Sequence, residues 1–216
     1  KYDGPVRRTS LYEEHKKLTN RPLVPFAGWE MPILYTSILE EHKAIRETAG
    51  LFDVTHMGVL EICGADAARF LDLVTTGFIS RVRIGQSQYS YLMNTDGEVG
   101  DDIMVYRRSL NNFMVVVNAA NAEKDLAWLK AVASREFIID NEFPQRELDV
   151  NPVIRDLKDS VTGKDRRVDI ALQGPNSLAI LQELAAENKE LRHKLRTLPR
   201  ACFIETYLNN LSQTRN

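Results

Sequence analysis

Residues 88–93, 102–107 and 113–117 are three short runs of strand-forming character separated by only two brief interruptions. Asn94-Thr95-Asp96-Gly97 divides the first pair and Ser109-Leu110-Asn111-Asn112 the second, and both are rich in turn formers. Strands joined this tightly pair only as antiparallel neighbours, so a three-stranded meander constrains everything built around it. Upstream, residues 57–62 suit a strand that Gly64 ends, and residues 65–75 carry the apolar spacing of a helix through Ala68, Leu71, Leu73 and Val74. Downstream, Asn121 is placed to cap a helix over 122–134, and residues 137–140 read as a last short strand. Residues 51–143 therefore spell βαβββαβ, an α+β unit close to a split βαβ arrangement with one strand added.

The flanks read differently. Ser10 and Glu13 have capping-box spacing ahead of a helix ending near Leu18, and Ser37 and Glu40 repeat the box before a helix over 38–49. Gly50 suits the left-handed end of that second helix. Between the helices, Pro22, Pro25, Gly28 and Pro32 forbid regular helix, and Trp29 reads as a buried architectural residue. About half of residues 145–167 are charged, which predicts a solvated connection. A strand over 168–173, a turn at Gly174, a helix begun by Pro175 over 176–187 and a strand over 202–208 complete the chain. Residues 51–143 are expected to form one compact unit. Residues 1–50 with 144–216 are expected to form part of a second unit, completed by chain absent here.

Composition narrows the function classes. With 44% hydrophobic and 27% charged residues the balance is globular, and a net charge of −2 gives no bulk attraction to nucleic acid or an anionic membrane. Cys63 and Cys202 are too few for a disulfide framework, and His15, His42, His56 and His193 are scattered, so no metal site is expected. No apolar run is long enough to span a bilayer, and no signal core opens the chain. A cytoplasmic or organelle-matrix protein with trimmed ends is the expectation.

The best chemical candidate lies on the middle strand. Alternation puts Asp102, Met104 and Tyr106 on one face, and a carboxyl among such neighbours can handle protons. The plainer reading makes Asp101 and Asp102 surface acids beside a glycine turn, and spacing alone prefers it. Tyr89 and Tyr91 also share a face, either lining a flat ligand or packing the sheet, with packing preferred. Asn118 ends the third strand, where its amide either reads a ligand edge or satisfies a loop.

The motifs add a resemblance. Phe26-Ala27-Gly28-Trp29-Glu30-Met31-Pro32 is followed by Gly50-Leu51-Phe52-Asp53-Val54-Thr55-His56-Met57-Gly58 and then by Tyr89-Ser90. The Gly97 to Asp102 run, Val117-Asn118-Ala119-Ala120-Asn121 with Glu123-Lys124-Asp125, and Leu172-Gln173-Gly174-Pro175 come after them. In order and spacing these resemble the aminomethyltransferase, or T-protein, family of the glycine cleavage system, over residues 8–208. The resemblance implies a multidomain folate-binding fold. It also implies transfer of a one-carbon unit from the aminomethyl-lipoyl arm of H-protein to tetrahydrofolate, with release of ammonia. It makes Asp102 the essential carboxylate, with Asp101 mattering much less, and sets Met57, Tyr89, Met104, Tyr106 and Asn118 near the folate channel. Tetrahydrofolate as cosubstrate and lipoylated H-protein as partner follow, without metal, nucleic acid or membrane. The alternatives are a demethylase of the same superfamily, acting on dimethylglycine, sarcosine or a sulfonium compound, and a folate-binding iron–sulfur assembly factor. The family's later R-T-G-Y-T-G-E and G-A-R-D segments, which grip the pterin and the folate tail, do not occur here. An amino-terminal portion, inactive by itself, is therefore expected, from the cytoplasm or, in a eukaryote, the mitochondrial matrix.

Overall fold

The computed structural model describes residues 5–140, 142, 151–185 and 187–206. Their fold is α+β and forms two compact units. The first takes in the described residues of Lys1–Thr55, Asp169–Arg200 and Ile204–Asn216; the second takes in those of His56–Val168 and Ala201–Phe203.

The first unit opens with β1 (Arg7–Arg8), α1 (Tyr12–Leu18), β2 (Val24–Phe26), β3 (Trp29–Met31), α2 (Ile38–Glu47) and β4 (Gly50–Asp53). The proline-rich segment, expected to be irregular, forms a hairpin: β2 pairs antiparallel with β3, and β1 lies parallel to β3 on its other side. Ala27 and Gly28 turn it, both at positive φ (47° and 81°). Pro25 sits in an edge strand, where its missing N–H costs no ladder bond. Trp29 is only half-buried, beneath the Arg7 guanidinium 4.8 Å from its ring centre. The Ser10 capping box does not form, since Leu11 begins α1 without a side-chain cap. Ser37 does cap α2: its hydroxyl accepts from Glu40 N at 3.3 Å and donates to the Glu40 carboxylate at 2.8 Å. Thr48, not Gly50, ends that helix; Gly50 opens β4, where a Cβ would lie 2.5 Å from Ile45 Cγ1.

The second unit contains β5 (Gly58–Cys63), α3 (Ala67–Val74), β6 (Ser87–Met93), β7 (Val99–Ser109), β8 (Asn112–Val117), α4 (Ala122–Ala133) and β9 (Val153–Asp156). They form an antiparallel sheet in the order β6-β7-β8-β5-β9. Leu60, Ile62, Ile103, Val105, Phe113 and Val115 point from the strands into a core shared with Phe70 and Leu71 of α3 and Leu129 of α4. The βαβββαβ order holds, but residues 137–140 are not its last strand. Arg135 turns the chain at φ 65°, and Phe137 packs on Trp128 with ring centres 5.1 Å apart. The place at the sheet edge goes to β9, from the segment expected to be a solvated connection, because Arg155 brings a cation to buried Glu61. The expected strand at 202–208 is reduced to one bridge between Cys202 and Gln86, and residues 207 and 208 lie outside the described residues.

The chain then returns to the first unit as β10 (Ile170–Gln173), α5 (Ser177–Leu184) and α6 (Lys189–Thr197), the last not foreseen from sequence. β10 pairs antiparallel with β4. Gly174, at φ 111°, makes the turn that follows; a Cβ there would meet Ile45 O at 2.6 Å and Thr48 O at 2.7 Å. Only glycine fits so close to the end of α2.

Candidate active site

Alternation along β7 sends Asp101, Ile103 and Val105 into the core and leaves Asp102, Met104 and Tyr106 on the other face of the sheet. Register then sets Tyr91 of β6 opposite Asp102 and Tyr89 opposite Met104. The Tyr89 hydroxyl donates to Asp102 Oδ2 at 3.0 Å. Tyr89 and Tyr91 are 51% and 40% exposed and meet edge to face at 5.3 Å, so the packing reading for this pair gives way to an open aromatic surface. A hydrogen bond with the Tyr91 side chain, partial loss of water and the neighbouring Asp102 together raise the Tyr89 phenol above its ordinary value.

Asn118 closes the group from the other side. Its amide nitrogen donates to Asp102 Oδ1 at 2.8 Å and to Asp101 Oδ1 at 2.9 Å, and also lies 3.1 Å from the Asp102 carbonyl oxygen. Its backbone N–H donates to Asp101 Oδ2 at 2.9 Å. Asn121, expected to cap α4, instead donates its amide to Asp101 Oδ1 at 2.6 Å. Asp101 is therefore no surface acid: it is 5% exposed. Burial would raise its carboxyl, but the bonds from Asn118 and Asn121 outweigh burial and hold it below the ordinary value. Beneath it lies Asp125 of α4, 1% exposed, whose carboxyl is pushed up to about 7 by burial and by Asp101.

Asp102, Tyr89 and Asn118 thus form one hydrogen-bonded group, with Met104 alongside. Tyr106 sits farther along the same face, its ring against Phe203 at 5.5 Å. Met57 precedes Gly58, which pairs with Val117, so it lies at the Asn118 end of the sheet. Sequence reasoning weighed Tyr91 only together with Tyr89 and missed Asn121 and Asp125 as parts of this group; the Asn121 to Asp125 stretch carried the signal. An open cavity of about 530 Å³ elsewhere in this unit is lined by residues such as Arg69, Asp72 and Phe78 and takes in no expected site residue. Chemically, the group presents a carboxylate fixed from two sides beside two exposed rings, an arrangement able to receive a flat ligand with N–H edges.

Among the described residues no helix is long and apolar enough to cross a membrane. The GCVT N-terminal domain family matches residues 11–199. An aminomethyltransferase of Desulfitobacterium hafniense (strain Y51) is 40% identical over 185 residues, covering 84% of this chain and 44% of that protein. One of Bacillus subtilis (strain 168) is 36% identical over 179 residues, covering 83% and 43%. The crystal structure of glycine cleavage system aminomethyltransferase T from Bartonella henselae superposes with a TM-score of 0.69 at 33% identity, over 83% of this chain and 44% of that one. The chain spans less than half the length of each of these relatives. With most of its length matched by the family model and relatives 36–40% identical over more than four fifths of it, the chain belongs to the aminomethyltransferase family through its GCVT N-terminal domain.

Proposed function

We propose that this chain supplies the Asp102 side of the transfer site in a folate-dependent aminomethyltransferase of glycine cleavage. The one-carbon unit would come from aminomethyl-lipoyl H-protein and pass to tetrahydrofolate with release of ammonia. The observation that carries the reading is the Asp102 carboxylate, on an exposed face yet held by the Tyr89 hydroxyl and the Asn118 amide. A carboxylate fixed in this way needs no reorientation when charge changes next to it. The exposed tyrosine pair beside it suits the flat, hydrogen-bonding ring system of a pterin. When bound, tetrahydrofolate supplies the amine nitrogens that accept the carbon. The chain's own residues position and deprotonate: Asp102 takes an N–H of the ligand and receives a proton, while Tyr89 and Asn118 keep it in place. Met104 and Tyr106 line the face, and Met57 the Asn118 end.

Calorimetric titration of the 216-residue chain with tetrahydrofolate, without oxygen, tests this. Saturable binding is expected, weakened about tenfold or more by Asp102→Asn, because a charged hydrogen bond is lost. Tyr89→Phe should weaken binding less and leave the melting temperature unchanged. In the complete enzyme, assayed with aminomethyl-lipoyl H-protein, Asp102→Asn should lower turnover by about 10²–10⁴-fold. Identical affinity in the parent and Asp102→Asn would remove Asp102 from the site.

A further inference from the structure

Asp125 lies deepest in the polar group, and the reading above has no use for it. It projects from α4 into the core side of the sheet and is 1% exposed. Among the described residues, neither of its carboxyl oxygens has a hydrogen-bond donor. Lys124 Nζ is 3.7 Å from Oδ1, and its hydrogen bonds go to Gly100 O at 2.7 Å and Asn121 Oδ1 at 3.2 Å. A buried carboxylate without donors is strongly disfavoured. A buried carboxylic acid needs only an acceptor, and Asp101 supplies one. Asp101 is suited to that role because Asn118 and Asn121 already hold it as a carboxylate.

We propose that Asp125 is a positioning residue: its carboxylic acid donates to Asp101, and the acid–carboxylate pair holds Asn118 with its amide hydrogens on Asp102. The link is direct, since one side-chain nitrogen of Asn118 contacts both Asp101 Oδ1 and Asp102 Oδ1. With the proton present, Asp101 accepts from four groups and is fully satisfied. Without it, two carboxylates face each other in a site nearly closed to water, and repulsion displaces Asp101 and Asn118 together. The charged groups acting on Asp125 are Asp101 from β7 and Lys124 from its own helix. Burial and Asp101 favour the acid and Lys124 opposes it, with a balance near neutrality. Asn118 thus becomes sensitive to pH through a residue that touches no ligand.

The consequence for folate rests on the reading of Asp102; the pair itself does not. The test is therefore made first on the ligand-free chain, labelled with ¹³C and ¹⁵N and followed by NMR from acid to weakly alkaline pH. The Asp125 carboxyl carbon is expected to titrate near 7, and the Asn118 side-chain amide signals to move with the same midpoint. Asp125→Asn retains a neutral donor toward Asp101, so its Asn118 signals should stay at the acid-side position throughout. Asp125→Leu removes the donor and should displace them at every pH. Asn118 signals indifferent to the Asp125 titration, or an Asp125 already ionised well below neutrality, would overturn the proposal. Calorimetry then reads the consequence: tetrahydrofolate affinity should fall about tenfold as Asp125 ionises and stay constant in Asp125→Asn. A chain that binds no tetrahydrofolate at any pH would count against the Asp102 reading, while the NMR result still decides the pair.

Discussion

Two adjacent acids, Asp101 and Asp102, meet opposite surroundings because consecutive residues of a strand face opposite ways. Asp101 accepts bonds from Asn118 and Asn121 in a buried pocket, whereas Asp102 stands on the open face. The sequence expectation that Asp101 matters much less than Asp102 concerns turnover; for stability this geometry predicts the opposite order. Asp101→Asn turns an acceptor into a donor facing Asn118 or Asn121, so a buried polar group is left unpaired. We expect it to cost about 1–3 kcal/mol of stability. Asp102→Asn, at an exposed position, should stay within about 0.5 kcal/mol of the parent. Urea unfolding of the two variants measures this, and equal midpoints would refute it. Tetrahydrofolate binding should suffer in both variants, in Asp101→Asn through Asn118 and in Asp102→Asn directly.

At the scale of elements, β9 shows how a long-range charge can decide a strand. Glu61 of β5 is 3% exposed and accepts from Arg155 Nε at 2.6 Å, Asn112 Nδ2 at 2.8 Å and Arg108 Nη1 at 3.3 Å. Among the described residues, Arg155→Met leaves this buried carboxylate with Arg108 and Asn112. A cost of about 1–3 kcal/mol is expected, moderated because Arg155 is itself partly exposed. Hydrogen exchange should then quicken at β9 and hold steady across β6 and β7; uniform quickening would contradict the prediction. The same contact explains what was legible in the sequence. The meander and its two packing helices show through local alternation and helical spacing, which need no partner to be read. β9 depends on a carboxylate 94 residues away, and the charge that marks its segment as solvated is the charge that docks it. Residues 137–140 have strand-forming side chains, but the turn at Arg135 and the Trp128 ring take them elsewhere. The candidate site divides along the same line. Asp102, Tyr89 and Asn118 were readable from strand faces and motif, whereas the roles of Asn121 and Asp125 depend on a carboxyl across the sheet.

The molecule as a whole is unevenly stabilised. Among the described residues, the one extended apolar core lies in the second unit. In the first unit α2 and α5 bury no residue, and Leu39, Ile38, Leu51 and Ile170 are 81%, 71%, 62% and 55% exposed. Its β4–β10 ribbon has only two strands, too few for stability without further packing. Much of what holds this unit is polar: His15 Nε2 lies 2.8 Å from Asp53 Oδ2, the Tyr35 hydroxyl lies 2.7 Å from His15 Nδ1, and Thr55 N donates to Asp53 Oδ1 at 3.0 Å. Burial would raise the Asp53 carboxyl, but its bonds, those from Thr55 and His15 among them, outweigh burial and hold it below the ordinary 3.8. A lowered carboxyl stabilises the fold in its ionised form. Its contribution is complete above the unfolded value and is lost as pH falls through the folded one. At neutral pH, amides of β5, β7 and β8 should therefore exchange far more slowly than those of β4, β10, α2 and α5, after correction for intrinsic rates. Acidification below about pH 4 should loosen the first unit further as Asp53 takes up its proton. Asp53→Asn removes that acid step and lowers protection in the first unit at neutral pH, while the β5, β7 and β8 amides keep their rates. Equal protection in both units, or an Asp53→Asn effect that reaches the second, would mean that the chain unfolds as one cooperative body and that its polar cluster does not set the weaker half.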